Sequence, residues 1–156
     1  KGFQNVPPIT DSLTWQGIPL TRTPGQHGSS EKVLADMGTV SGFVLHAENE
    51  PTVYWVGDSI WYPPVAEAIT RFKPHIIVTH SCGAVWNENE FIVMDAEQTV
   101  ALCQAAPDSI VVATHMETLD HSTVSRAALR QHALEKGIDP NKLLIPADGE
   151  ALHFVH

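Results

Sequence analysis

The sequence predicts an α/β domain in which helices are layered on a sheet. Three observations carry that prediction. Short apolar or β-branched runs alternate with segments of helical periodicity. Two of the runs, "HIIVTH" (75–80) and "SIVVATH" (109–115), are almost continuously apolar, as expected of strands buried on both faces. Proline, glycine or a capping side chain marks most of the boundaries between them.

The elements follow in order. "GIPLTRT" (17–23) and "GTVSGFVLHAE" (38–48) read as strands, being rich in β-branched and apolar residues. "NEP" (49–51) turns the chain and "TVYWVGDS" (52–59) returns it, so 38–59 is expected to be a β-hairpin. "PPVAEAITRFKP" (63–74) has prolines at both ends, with Val65, Ala68, Ile69 and Phe72 at helical spacing. "DAEQTVALCQAAP" (95–107) opens on a capping-box pattern, Asp95 followed by Gln98, and closes at a proline. "STVSRAALRQHALEKG" (122–137) is the clearest helix, with Ser122 as its cap and Gly137 as its left-handed stop. "KLLIPADGEALHF" (142–154) supplies one or two closing strands around the "ADGE" turn. The count is about three helices on a mixed sheet, without internal repeats or linkers.

At 156 residues and 43% hydrophobic, the chain is long enough for one domain with a real core. Nine Lys and Arg against eighteen Asp and Glu give a formal charge of −9. That balance excludes a general nucleic-acid binder, whose phosphate contacts need clustered basic residues. Two cysteines, Cys82 and Cys103, are too few for a disulfide framework and suit a reducing compartment. No apolar run approaches membrane-spanning length and no signal peptide is visible, so a soluble, cytoplasmic chain with no membrane partner is expected. The sequence opens on Lys1-Gly2-Phe3 without an initiator methionine, so something upstream is expected to have been removed.

Histidine is the outlier, its nine copies equalling Lys and Arg together. In "TRTPGQHGSS" (21–30), a Pro-Gly turn delivers His27 just past a strand. Asp58, His80 and His115 also follow directly on strands, in "VYWVGD", "IIVTH" and "IVVATH". In layered α/β proteins the carboxyl ends of strands converge on one edge, where ligands bind. The spacing therefore predicts a polar cluster of His, Asp, His and a further His. Neutral imidazoles and carboxylates together suit zinc, manganese or iron.

Taken singly, each residue has a plainer reading. His27 fits an ordinary turn, and Asp58 in "GDS" fits a helix cap or turn former. "HSC" (80–82) invites a Cys/His nucleophile, but no orienting acid is identifiable and a buried structural cysteine is commoner. Trp55, Trp61 and Trp86 read as core or pocket-wall residues. Glu117 and Asp120 read as solvated, or as hydrogen-bond acceptors steadying His115 or His121. Cys103 and His132 read as packing or surface residues of helices, and His153 and His156 as part of a disordered terminus.

The ordered set "TPGQHG", "YWVGDS" and "VVATHMETLDH", closed by "IPADGE", resembles the carboxyl-terminal half of the metallo-β-lactamase fold. Within it, the set is similar to the branch of small bacterial metal-dependent hydrolases that includes ascorbate-6-phosphate lactonase-like proteins. The resemblance implies that His27 binds one metal, that Asp58 bridges two, and that His115 binds the second. It implies that His121 faces the site as a substrate-orienting or proton-handling group, so Asp58 and His121 are the catalytic pair. At His80 the sequence departs from the family's usual residue, which leaves His80 as pocket lining only. The family's His-x-His-x-Asp-His loop, which lies in its amino-terminal half, has no match here. The resemblance therefore implies one domain over 1–156 that is the second half of an αββα sandwich, its amino-terminal half absent.

Two functions are expected from this. The first is a metal-dependent hydrolase, in which this chain supplies part of a dinuclear site holding up to two divalent ions, with zinc foremost. Its substrate would be a small ester, lactone, amide or phosphoester. The second is a non-catalytic half-domain that self-associates or pairs with a complementary chain, because half a sandwich leaves one sheet face bare.

Overall fold

A meander of antiparallel strands comes first in the computed structural model, which describes residues 2–4, 6–87 and 89–154. β1 (Ser12–Trp15) pairs with β2 (Ile18–Pro24) across a tight turn. After α1 (Glu31–Met37), β3 (Ser41–Leu45) pairs with β2, and β4 (Val53–Trp55) pairs with β3. Beyond this the sheet turns parallel. α2 (Pro63–Phe72) crosses to β5 (Ile76–His80), which lies beside β4. A separate ribbon of β6 (Val85–Trp86) and β7 (Glu90–Phe91) follows, and then α3 (Ala96–Ala105) leads to β8 (Ile110–Thr114) beside β5. α4 (Arg126–Glu135) leads to β9 (Leu143–Leu144), which closes the sheet. The order is β1-β2-β3-β4-β5-β8-β9, a mixed seven-stranded sheet of the α/β class.

Strand alternation sorts the sheet into two unlike faces. Val44, Tyr54, Ile77, Val111 and Leu143 stand in register across five strands, and all five are buried. They share one core with Val65 and Ile69 of α2, Val100 and Leu102 of α3, and Leu129 of α4. Burying side chains of this size stabilises the fold by about 1.5–3 kcal/mol each. The adjacent register row, Phe43, Trp55, Val78, Val112 and Leu144, lies on the opposite face. There Trp55 is 45% exposed, and Phe43, Val78 and Leu144 are only half-buried.

The helix boundaries follow from local chemistry. Pro63 and Pro64 start α2, where a missing N–H costs nothing, and Lys73 ends it in the left-handed region before Pro74. Asp95 caps α3 by accepting from the Gln98 backbone N–H at 2.8 Å. The Gln98 side chain does not close the reciprocal half of the capping box and instead accepts from the Trp61 N–H at 2.7 Å. α4 begins later than expected, because Ser125 and not Ser122 is its cap, accepting from Ala128 at 3.1 Å. The preceding residues are held elsewhere: Thr123 and Val124 donate their N–H groups to the Cys82 carbonyl. Gly137, at φ +75°, follows the helix as expected.

Four features depart from the sequence reading. α1 is a fourth helix, seven residues long with Val33 as its buried residue, too short for periodicity to reveal. β1 is mostly exposed, so it lacks the alternation of a half-buried strand. The ribbon β6–β7 is two residues on each side. Only Leu143–Leu144 of segment 142–154 is strand, the rest being turn and irregular chain. Trp55 and Trp86 are each 45% exposed, so neither belongs to the core, whereas Trp61 packs against it. Cys103 is buried in α3, His132 lies 2.8 Å from Glu97, and exposed His153 follows the "ADGE" turn. His156 lies outside the described residues. Among those residues, no helix is long and apolar enough to cross a membrane.

Candidate metal centre

The topology dictates where the polar residues meet. β2 and β4 run in the same direction, each being antiparallel to β3, and β5 and β8 run parallel to β4. The carboxyl ends of all four therefore lie on one edge of the sheet, where His80 is the last residue of β5 and the loops after β2, β4 and β8 carry His27, Asp58 and His115.

Two of these loops are stitched together. The Gln26 N–H donates to the Ser59 hydroxyl at 3.0 Å, and the Ile60 N–H donates to the Gln26 carbonyl at 2.8 Å. The turn before Asp58 needs glycine: Gly57 has φ +74°, and a Cβ there would sit 2.8 Å from the Ser41 carbonyl oxygen. Behind His80, the buried hydroxyls of Thr79, Ser81 and Thr99 form a continuous hydrogen-bonded chain that stiffens the floor of the site.

Asp58, His80 and His115 come together, with one ligand atom from each lying within 4.8 Å of the others. His80 Nδ1 donates to Asp58 Oδ1 at 2.6 Å. That hydrogen bond holds the Asp58 carboxyl below its ordinary pKa, against the opposing effect of burial, with smaller contributions from the His80, His27 and His115 imidazoles. The His80 and His115 rings lie 4.8 Å apart between centroids, and Trp55 meets His80 edge-on at 5.8 Å. His115 has φ +60°, an uncommon conformation for a non-glycine residue, so the chain bends sharply to present it. Its Nδ1 lies 3.6 Å from Cys82 Sγ. Cys82 is fully buried, which does not suit the nucleophile read from "HSC".

The other two residues fall outside this group, although His27 is near enough to act on the Asp58 carboxyl. His27 Nδ1 lies 2.7 Å from the Ile92 carbonyl. A carbonyl can only accept, so Nδ1 carries the proton and Nε2 keeps its lone pair. His121 pairs with its neighbour, its Nδ1 lying 3.1 Å from Asp120 Oδ1. Glu117 pairs with Arg126, whose Nη1 lies 2.6 Å from its carboxylate.

His80 joins the group because it ends β5, although the family resemblance leaves it as pocket lining only. The partner of the turn that carries His27 has no signal in the sequence. Glu90 accepts hydrogen bonds from the Ser29 backbone N–H, the Ser30 backbone N–H at 2.7 Å, the Ser29 hydroxyl at 2.8 Å and the Ser30 hydroxyl at 2.6 Å. These contacts span some sixty residues, and "NENEF" (87–91) carries no local sign of them.

Two imidazoles and a carboxylate are a donor set that fits a divalent cation such as zinc, manganese or iron. A free Nε2 on His27 adds a donor of the same kind on the same sheet edge.

The whole chain resembles known proteins. The model of the beta-lactamase superfamily domain matches residues 5–116. UPF0173 protein YddR of Bacillus subtilis (strain 168) is 34% identical over 154 residues, covering 99% of this chain and 60% of that protein. The isothiocyanate hydrolase from Delia radicum gut bacteria is 36% identical with a TM-score of 0.90, over 98% of this chain and 60% of that one. A possible metal-dependent hydrolase from Veillonella parvula DSM 2008 is 31% identical with a TM-score of 0.88, over 96% and 59%. The chain thus spans about 60% of the length of the relatives it matches.

Proposed function

This chain belongs to the beta-lactamase superfamily, and from that we propose that it supplies part of the active site of a metal-dependent hydrolase. The observation that carries the proposal is the meeting of Asp58, His80 and His115 at the carboxyl edge of the sheet. Asp58 and His115 would hold the metal, with His27 offering Nε2. Zinc is the first choice and manganese or iron the alternatives, since all accept these ligand types. A divalent ion bound there supplies a Lewis acid that polarises the scissile oxygen and acidifies water near neutrality.

The chain's own residues do the rest. Asp58 is kept ionised by its hydrogen bond from His80, which also fixes the carboxylate's direction. Ile92 fixes the His27 tautomer. His121, hydrogen-bonded to Asp120, would orient the substrate or carry a proton. The substrate class is a small ester, lactone, amide or phosphoester, and the branch is the ascorbate-6-phosphate lactonase-like one. The second half of the ligand set, a His-x-His-x-Asp-His loop, would come from an amino-terminal half outside this sequence, completing a dinuclear site. The two free, buried cysteines suit a reducing compartment and support a cytoplasmic location.

One observation favours a second reading, a non-catalytic half-domain that self-associates or pairs with a complementary chain. In the row that runs from Phe43 to Leu144, the apolar side chains of Phe43, Trp55, Val78 and Leu144 are partly exposed, and Val112 between them is buried. Apolar patches of this kind drive association.

The test is a hydrolase screen on the zinc-loaded chain, alone and with a segment carrying the missing loop supplied in trans. Turnover that requires the loop and disappears in Asp58→Ala supports the enzyme. Stable association without turnover, in either arrangement, supports the half-domain.

A further inference from the structure

We infer that Glu90 is the positioning residue for His27: by clasping Ser29 and Ser30, its carboxylate holds the preceding turn so that the imidazole presents Nε2. The inference rests on the reading of His27 as a metal ligand, but it concerns what holds that side chain in place.

The turn has little rigidity of its own. Residues 25–30 contain two glycines and two serines, and among the described residues no strand pairs with 26–30. Gln26 is bonded to Ser59 and Ile60, and the residues after it are held by two contacts from residues 90–92, at and just beyond β7. Immediately after His27, four donors from Ser29 and Ser30 converge on the two oxygens of Glu90. Two residues beyond Glu90, the Ile92 carbonyl accepts from His27 Nδ1. A single short stretch, 90–92, therefore holds both the backbone after His27 and its ring.

Local geometry shows how closely the clasp fits. Gly28 has φ +117°, and a Cβ there would meet Val33 Cγ1 at 2.3 Å and Glu90 Oε1 at 3.3 Å. Val33 and the positive φ require the glycine, and the carboxylate lies against the same residue, next to His27. The ribbon is anchored at its other side to the loop of His121. The Val85 N–H donates to the His121 carbonyl at 3.1 Å, and Ala84 bridges Ser122. A fixed ribbon can transmit position, because a carboxylate with several charge-assisted hydrogen bonds holds its donors more firmly than neutral partners would.

The test compares the parent chain with Glu90→Ala, Glu90→Gln and His27→Ala. In the metal-free protein, nitrogen-15 NMR of the histidine rings reads the His27 tautomer directly, assigned by the signal lost in His27→Ala. The parent is expected to show a protonated Nδ1. Glu90→Ala is expected to mix the tautomers while the other histidine signals stay in place. Glu90→Gln, which keeps the length and one acceptor oxygen, is expected to restore most of the parent pattern. Zinc titration then gives a second readout: Glu90→Ala is expected to lose about 10- to 100-fold in affinity, and to lose nothing further in the His27→Ala background. An unchanged His27 tautomer in folded Glu90→Ala would overturn the inference. So would an equal affinity loss with and without His27. Should Glu90→Ala not fold, a Glu90→Gln signal identical to the parent's and a Ser30→Ala signal shifted from it support the clasp, and any other pair of results overturns it. Failure of the parent to bind zinc would count against the metal reading alone, since the tautomer readout needs no metal.

Discussion

His80 Nδ1 lies 2.6 Å from Asp58 Oδ1, so the end of β5 is tied directly to the loop after β4. The contact gives the carboxylate a fixed partner and lowers its pKa. Replacing His80 with alanine is expected to weaken zinc binding by about 10- to 100-fold, as loss of an orienting partner does. Calorimetric titration checks it. Unchanged affinity would remove His80 from the site.

Gly28 is expected to tolerate no side chain. Alanine there meets Val33 and forces a positive φ on a residue that disfavours it. Gly28→Ala should destabilise the chain by at least about 1 kcal/mol, read as a lower urea midpoint. A midpoint equal to the parent's would show that the turn before α1 relaxes freely.

Acid should loosen the His27 turn before it unfolds the core. The Ser30 hydroxyl, followed by the backbone N–H groups of Ser30 and Ser29, lowers the Glu90 pKa from 4.5 to about 2. Arg126 lowers that of Glu117 in the same direction. A depressed folded-state pKa contributes stability that is fully present above the unfolded value and is lost as pH falls through the folded one. The contribution of Glu90 is therefore expected to be constant above about pH 5.5 and to fade between about pH 4.5 and pH 2. Urea midpoints measured across that range should fall less steeply for Glu90→Gln than for the parent. Parallel curves would contradict the assignment.

The two faces of β5 should respond differently. Ile77 is fully buried against the helices, and Ile77→Ala is expected to cost about 2–5 kcal/mol. Val78, its neighbour on the open face, is half-buried, and Val78→Thr should cost about 1 kcal/mol or less. On that same face, Phe43→Ser should reduce association in sedimentation velocity while leaving secondary structure intact. Equal stability losses at 77 and 78 would mean that both faces are covered.

Much of this molecule is written in local patterns. The runs at 75–80 and 109–115 are strands because their residues are apolar on both faces, and the helix segments show their caps and periodicity. Strand direction then brought Asp58, His80 and His115 to one edge, a result that needs only the order of elements. What was not legible depends on distant pairing. β1 is mostly exposed, and α1 has Val33 as its buried residue, so neither carries a strong hydrophobic pattern. The clasp of Glu90 on Ser29 and Ser30 joins positions far apart in sequence, and nothing local marks it. Ser122 has the residue type of a cap, but the pairing of the next residues with the Cys82 carbonyl delays the helix to Ser125.

The most direct measurement is metal content by elemental analysis of the purified chain, after equilibration with zinc and removal of the excess, beside Asp58→Ala and His115→Ala. The account predicts near-stoichiometric zinc in the parent and its loss in both variants. Zinc near zero in the parent, or zinc retained in both variants, would contradict a metal centre built on these residues.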